Sequence, residues 1–201
     1  AERLLKSTQN LFGNVRGGMA ITVALIGALL AASTGIVGAS VVLLGVLSLP
    51  IMVKQGYSKG LATGTVAASG CLGIIIPPSI MLVFMADQIG LPAGDLFMGA
   101  FVPGLMLAAL YVLYILVYAY FNPAAAPLAD ERKIIDLRAL IRVMFDAVPI
   151  LALMFLVLGS IVAGIATVTE ASGVGALAAM ILAALYGKLN LPMLRESLRG
   201  T

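Results

Sequence analysis

The chain has 201 residues, of which 62% are hydrophobic and only 10% are charged, and its formal net charge is +3. Soluble globular domains carry roughly 45–50% apolar and about 25% charged residues, so this composition excludes an ordinary soluble domain and indicates a polytopic membrane protein. The lack of histidine excludes Ser-His catalysis and a His-ligated metal within the chain, and the single cysteine excludes an intrachain disulfide.

The isoelectric point near 9.2 does not predict a nucleic-acid partner. The net charge is small, and neither a basic stripe nor a platform of aromatic side chains accompanies it. Membrane topology explains the basic residues better. The first residue is not Met and no signal peptide is visible, so we expect an internal fragment of a longer protein.

Residues 1–16 mix charged side chains with scattered apolar ones, which predicts an interfacial arm helix, with an ordinary connector as the alternative. The uncharged run 17–53 follows. As one straight helix this run would be about 55 Å long, against a hydrocarbon core of about 30 Å. Small and hydroxylated residues at 33–40 divide it into arms of about 16 and 14 residues, each shorter than a full crossing. We therefore predict a re-entrant helical hairpin whose tip is buried in protein or lines a cavity.

Residues 54–95 are predicted to form a broken transmembrane helix and a loop. Gly70 and Gly73 precede the pair Pro77 and Pro78. Proline has no N–H and biases the residue before it away from helical angles, so the helix should be interrupted near mid-membrane and resume to about residue 86. A kinked but continuous span is the alternative. Cys71, within this stretch, is expected to be a small buried apolar residue.

The remaining chain divides into four parts. Residues 96–121 predict a transmembrane helix, 122–146 a cytoplasmic loop and amphipathic arm, 147–187 two transmembrane helices, and 188–201 the start of another interfacial segment. Glu170 opens the last of these spans and is expected to be an N-terminal cap carboxylate rather than a proton relay.

Small residues recur at every fourth position in three of the apolar runs, a spacing that predicts close packing against another helix. The three stripes are Ala20, Ala24, Ala28 and Ala32, then Gly60, Gly64 and Ala68, and finally Ala171, Gly175, Ala179 and Ala183.

Charge supports this topology. If the hairpin returns to its own side and the runs at 60–86, 96–121, 147–166 and 171–187 each cross, all 12 Lys and Arg residues lie on one surface. The opposite surface then carries Asp87, Asp95 and Glu170 alone. This positive-inside pattern puts the basic surface in the cytoplasm. The charge count does not distinguish a re-entrant hairpin from two full spans; arm length and the polar tip favour the hairpin.

The hairpin tip and the helix break are the candidate sites for chemistry. Unwound backbone offers carbonyl oxygens to cations, and the N-termini of half-helices offer amides to anions. Neither element contains a carboxylate, which favours a weakly charged ion such as Na⁺ over Ca²⁺. Alternatively, the hydroxyls cap helices and the glycines serve backbone geometry alone.

Several passages of the chain resemble the large membrane subunit of tripartite ATP-independent periplasmic (TRAP) transporters. They are 32–40 (ASTGIVGAS), 69–80 (SGCLGIIIPPSI), 164–171 (GIATVTEA), 55–57 (QGY) and 102–104 (VPG). The resemblance implies half of an inverted-repeat elevator transporter in the bacterial inner membrane, and not an enzyme. It implies sodium-driven uptake of an organic acid such as a C4-dicarboxylate, with Na⁺ as coupling ion and no cofactor.

The resemblance also implies two partners, a periplasmic substrate-binding protein that delivers the organic acid and a small membrane subunit. Carried over to this chain, it places candidate sodium ligands at Ser33, Thr34, Gly35, Gly38, Ser40, Gly70, Gly73, Ile75 and Pro77. The candidate substrate contacts are Ser40, Pro78 and Ser79. The second hairpin of such a transporter is expected outside this chain, so the chain should hold part of the site. The alternatives are a two-hairpin anion symporter that needs no binding protein, and a channel or scaffold subunit.

Overall fold

The computed structural model describes residues 15–128 and 137–187. These residues form helices and connecting turns, without a strand in either range. The helices are α1 (Gly18–Thr34), α2 (Val37–Lys54), α3 (Lys59–Ile75), α4 (Ile80–Ile89), α5 (Ala93–Phe121), α6 (Leu137–Val162) and α7 (Val168–Leu185). The predicted arm at 1–16, apart from its last two residues, and the predicted segment at 188–201 lie outside the described residues, as do residues 129–136 of the predicted cytoplasmic loop.

Four helical runs in the described part are long and apolar enough to cross a membrane. They are Val37–Lys54, Lys59–Ile89, Ala93–Phe121 and Val168–Leu185. Together with the all-helical secondary structure, these runs confirm the predicted all-α polytopic membrane protein.

Helix α1 is at the centre of the bundle and packs against α2, α3, α5 and α6. Ala20, Ala24 and Ala32 of its small-residue stripe are buried. A Cβ added at Gly27 would overlap the Ser69 side chain of α3, so the absence of a side chain there lets α1 and α3 approach closely. The hairpin therefore docks its first arm onto the helix that later breaks.

Three contacts fix the register of α1 against α3. Met19 contacts Tyr57 just before α3, Gly27 contacts Ser69, and Gly35 contacts Pro78 just after α3. The two helices run in the same direction, and the hairpin ends where α3 ends. Helix α4 continues beyond that level for 10 residues, about 15 Å. The tip of the hairpin therefore lies beside the interior of the membrane-length run Lys59–Ile89 and not beside its far end.

The arms of the hairpin are longer than predicted, at 17 residues in α1 and 18 in α2. Ser33 and Thr34 belong to the last turn of α1, and Gly38 and Ser40 to the first turn of α2. The connection itself is only Gly35 and the residue after it. Length no longer argues for re-entrance, since α2 alone is long enough to span. The re-entrant course of the hairpin stays a prediction.

Two expectations about α3 are wrong, for one reason. Cys71 is exposed rather than buried, and a Cβ at Gly60 or Gly64 would meet no atom of the described residues within 4 Å. Helix α3 buries one face against α1 and α2, and these three residues lie on the opposite face, at spacings close to a whole number of helical turns. Gly60 and Gly64 line a cavity of about 500 Å³ between α1, α3 and α5 instead of receiving a helix.

Helices α6 and α7 form a second, less buried layer. Helix α6 runs without interruption from Leu137 to Val162, across the predicted boundary at residue 146. Gly175 of α7 lies against Val157 of α6. Helix α7 starts with a capping box, in which the Thr167 hydroxyl accepts from the Glu170 amide and the Glu170 carboxylate accepts from the Thr167 amide. The expectation that Glu170 caps this helix is confirmed.

Candidate functional site

The hairpin tip is a two-residue connection. Gly35 has a φ of +63°, which brings the chain out of α1, and Ile36 is extended with φ −123° and ψ 116°. A positive φ costs glycine little because it has no Cβ. Ile36 occupies the N-cap position of α2 but has no polar side chain, so it makes no capping bond to the first amides of α2.

The hydroxyls around the tip hold the two arms together. Ser40 Oγ donates to the Ile36 carbonyl at 3.0 Å and lies 2.7 Å from Thr34 Oγ1, which links the end of α1 to the start of α2. Ser33 Oγ donates to the Leu30 carbonyl at 2.8 Å. None of these bonds caps an amide of α2. Sequence reasoning missed the Ile36 carbonyl, since an apolar side chain carries no signal for a backbone contact.

The break that separates α3 from α4 lies at residues 76–79 and includes a cis peptide bond between Pro77 and Pro78. The prolines have no N–H, so the carbonyls of Gly73 and Ile74 cannot receive their usual helical bonds from four residues ahead. Gly104 of α5 packs here, since a Cβ at that position would lie 3.0 Å from Ile76. The break is therefore supported from the side, and it leaves carbonyl oxygens without helical donors.

The tip and the break meet. A Cβ built on Gly35 would lie 3.1 Å from the Pro78 carbonyl oxygen and 3.5 Å from the Ser79 Cα. Ser79 is the N-cap of α4 and is 1% exposed, yet its Oγ makes no capping bond and has no hydrogen-bond partner within the described structure. A buried hydroxyl without a partner is costly to folding.

A cavity of about 390 Å³ adjoins this contact. Ser33 and Pro78 line it on one side, and apolar side chains of α6 and α7, among them Met154 and Val157, line it on the other. None of the described residues that line this cavity is charged. Arg16, Lys54 and Lys59 are at the start of α1, the end of α2 and the start of α3, whereas Asp87, Asp95 and Glu170 are at the opposite helix ends.

The described residues contain no cluster of three or more carboxylate, cysteine or histidine side chains that would bind a metal. The tip at residues 33–40 and the break at 76–79 carry no charged side chain, so these two segments offer a bound ion backbone dipoles and hydroxyls. Helix C-termini present partial negative charge and N-termini partial positive charge. The ends of α1 and α3 and the starts of α2 and α4 adjoin this contact.

The structure brings together only some of the predicted site residues. Gly35, Pro78 and Ser79 are in contact, Ser33 faces the same cavity as Pro78, and Thr34 and Ser40 join the arms. Gly38 is exposed, and a Cβ there would meet nothing within 4 Å. Gly70 instead packs against Val41, one turn into α2. The others belong to the end of α3 and the break: Gly73 and Pro77 are buried and Ile75 is half-buried.

The family model for the DctM component of tripartite ATP-independent periplasmic transporters matches residues 1–201. The chain belongs to this family. The predicted TRAP resemblance is thus confirmed, and the family consists of transport proteins rather than enzymes.

Similar proteins include members of the same family. The chain is 32% identical over 199 residues to the uncharacterized protein YgiK of Salmonella typhimurium, covering 98% of this chain and 45% of that protein. It is 35% identical to the C4-dicarboxylate TRAP transporter large permease DctM of Pseudomonas aeruginosa, covering 88% and 40%. It is 32% identical to the isethionate TRAP transporter permease DctMQ of Oleidesulfovibrio alaskensis, covering 90% and 28%. The chain spans less than half the length of each relative.

Proposed function

We propose that this chain supplies one half of the transport site of a sodium-coupled permease that takes up a small organic anion. The observation that carries the proposal is the seating of the hairpin tip on the helix break, where Gly35 touches the Pro78 carbonyl and the Ser79 hydroxyl is buried without a partner. Two interrupted elements that meet inside a membrane protein are a strong pointer to a transport site.

The cation would bind to backbone oxygens. Na⁺ prefers hard oxygen ligands, and a singly charged ion does not require a carboxylate in its first shell. The carbonyls at the ends of α1 and α3 supply such oxygens, and those of Gly73 and Ile74 lack helical donors because prolines follow. Hydroxyls of Ser33, Thr34 and Ser40 lie around the same turn and would complete the ligand set.

The organic anion would bind to the amide ends of the half-helices. The N-cap residues of α2 and α4 make no side-chain capping bond, and an anion is stabilised at helix N-termini by N–H groups and the helix dipole. The Ser79 hydroxyl is free to donate a further bond. The adjoining apolar cavity would accept the carbon skeleton. The expected substrate contacts are therefore Ser79, Pro78 and Ser40.

The substrate class follows from these groups rather than from one relative. Uncharged amide donors suit a carboxylate or a sulfonate equally, and relatives are named for a C4-dicarboxylate and for isethionate. We propose a periplasmic binding protein and a small membrane subunit as partners, as the family implies. The basic ends at Arg16, Lys54 and Lys59 would face the cytoplasm across a bacterial inner membrane.

Uptake into proteoliposomes that contain the complete transporter tests this function. We expect accumulation of a labelled C4-dicarboxylate or sulfonate that requires both an inward sodium gradient and the binding protein. Uptake without the binding protein would favour a two-hairpin anion symporter. Substrate flux that does not depend on sodium would favour a channel or scaffold subunit and would overturn the proposal.

The double variant Ser33→Ala with Ser40→Ala tests the tip. We expect the sodium concentration for half-maximal uptake to rise roughly tenfold, since two candidate oxygen ligands are lost, while the temperature of unfolding changes little. Ser48→Ala is the matched control, because Ser48 Oγ also bonds a carbonyl four residues back in α2, at Leu44, but lies away from the tip. Unchanged sodium dependence in a well-expressed double variant would remove these hydroxyls from the site.

A further inference from the structure

We propose that Tyr57 is a positioning residue, which ties the two ends of the hairpin together at its base so that the tip stays seated on the helix break. The inference rests on the proposed function, since it assigns a task to a residue that touches neither the ion nor the substrate. Tyr57 lies at the end of the hairpin opposite to the tip.

Tyr57 bonds both arms of the hairpin. Its backbone amide donates to the Met52 carbonyl at 3.0 Å, which closes the end of α2. Its Oη accepts a hydrogen bond from the Met19 amide at 3.1 Å, in the first turn of α1. The ring is buried between these elements, at 5% exposure. One residue therefore joins the start of α1 to the end of α2.

The Tyr57 hydroxyl pairs a backbone amide at the start of α1. The first four amides of a helix have no carbonyl partner within that helix, and in a buried position each unpaired amide is costly. Tyr57 satisfies one of them, at Met19. Burial raises the pKa of the Tyr57 hydroxyl above its ordinary value of 10.0, against the opposing effect of the Met19 and Ala20 amides. The phenol therefore stays neutral through the physiological range, and the tie does not switch with pH.

The residue after Tyr57 extends the junction. The Ser58 side chain caps α3 by accepting from the Leu61 amide at 3.3 Å, and the Ser58 amide donates to the Ala125 carbonyl at 3.0 Å, in the loop after α5. Two consecutive residues thus hold the start of α1, the end of α2, the start of α3 and the loop that follows α5. The base of the hairpin is fixed to the same helix whose break receives the tip.

The geometry transmits a change at the base to the tip. Helix α1 is a rod of 17 residues, about 26 Å long, with Tyr57 near one end and Gly35 at the other. Near its middle, α1 packs against Ser69 of α3 at Gly27. If the base of the hairpin were no longer held, α1 would pivot about this contact and its tip would move away from Pro78. Untied, the hairpin would populate seated and unseated positions. The apparent sodium affinity would then equal the intrinsic affinity multiplied by the fraction of hairpins that remains seated, while the rate at saturating sodium would stay unchanged.

Tyr57→Phe in the complete reconstituted transporter tests this role. The change removes the hydroxyl and keeps the ring, and it should raise the sodium concentration for half-maximal uptake about 2- to 10-fold, the range expected for one net hydrogen bond. The maximal rate should stay within about twofold of wild type. Tyr114→Phe is the matched control, because the Tyr114 ring is exposed on α5; it should leave both quantities unchanged.

Hydrogen–deuterium exchange of the same proteins gives a readout that does not depend on transport. In Tyr57→Phe we expect faster exchange both at residues 17–23 and, through the lever, at residues 33–40. Faster exchange at 17–23 alone, or a fall in maximal rate without a sodium shift, would overturn the positioning role. If wild-type uptake proves independent of sodium, the proposed function fails, and exchange at 33–40 still decides whether Tyr57 controls the tip.

Discussion

The base and the tip of the hairpin have similar backbone turns but differ in how their polar groups are hydrogen-bonded. Both are tight turns that contain a glycine with positive φ, Gly56 at the base and Gly35 at the tip. At the base, the amide of Met19 has its acceptor in Tyr57, and α3 has its cap in Ser58. At the tip, the N-cap residues of α2 and α4 make no side-chain capping bond and the Ser79 hydroxyl has no partner in the described structure.

The base resembles a further turn of the molecule. The start of α7 is closed by the capping box between Thr167 and Glu170, as the base is closed by the bonds of Tyr57 and Ser58. Buried polar groups that lack partners lower the free energy of unfolding by about 1–3 kcal/mol each. Within the described residues, Thr22 Oγ1 of α1 and Ser79 Oγ are both buried without a partner. We propose that the cost is retained at Ser79 because this hydroxyl serves the transport site.

Gly35→Ala should break the tip most severely. The new methyl group would sit 3.1 Å from the Pro78 carbonyl oxygen in a backbone conformation that costs alanine about 1–2 kcal/mol. We expect the tip to lift from the break and sodium-dependent uptake to fall by more than about tenfold. Gly164→Ala is the control, since Gly164 has a φ of +68° and nothing within 4 Å of its Cβ position. Equal losses of uptake in the two variants would mean that strain, not the contact, matters.

Ser79→Ala tests whether the unpaired hydroxyl at the break serves the fold or the substrate. Because the hydroxyl has no partner in the described structure, its removal should leave the unfolding temperature unchanged or raise it, and yet raise the substrate concentration for half-maximal uptake several-fold. Ser69→Ala provides the contrast, since Ser69 Oγ already donates to the Thr65 carbonyl at 2.5 Å. Thermal unfolding in detergent and uptake kinetics measure the two quantities. A destabilised Ser79→Ala variant with normal uptake would show that the hydroxyl serves the fold.

Thr167→Ala should have the smallest effect on transport. It removes the N-cap of α7, a loss of about 1 kcal/mol in helix stability, at a turn whose polar groups are paired. We expect a slightly lower unfolding temperature and uptake equal to wild type at saturating sodium. A marked loss of uptake would contradict the rule that fully paired turns in this protein serve structure alone.

Patterns in the sequence predicted which helices form and where one is interrupted, but they did not predict which residues form the turn of the hairpin or contact the break. Prolines 77 and 78 predicted the break because the loss of two amide donors is a property of the residues themselves. The hydroxyls at 33–40 were interpreted as a turn, yet most of them are helical, since Ser and Thr can bond carbonyls three or four residues back without ending a helix. The family resemblance places Gly38 and Gly70 beside Gly35 in the site, but a resemblance does not tell which glycine contacts the break in this chain.

Hydropathy and the placement of prolines by themselves determined that this chain is an all-α membrane protein with an interrupted helix, because apolar length and missing amide donors act locally. Only the tertiary structure decided that Gly35, rather than Gly38, touches the break, that Ser79 is left without a partner, and that Tyr57 joins the base of the hairpin. Those facts depend on the register of α1 against α3, which is set by packing at Gly27 and Ser69 between residues far apart in the chain.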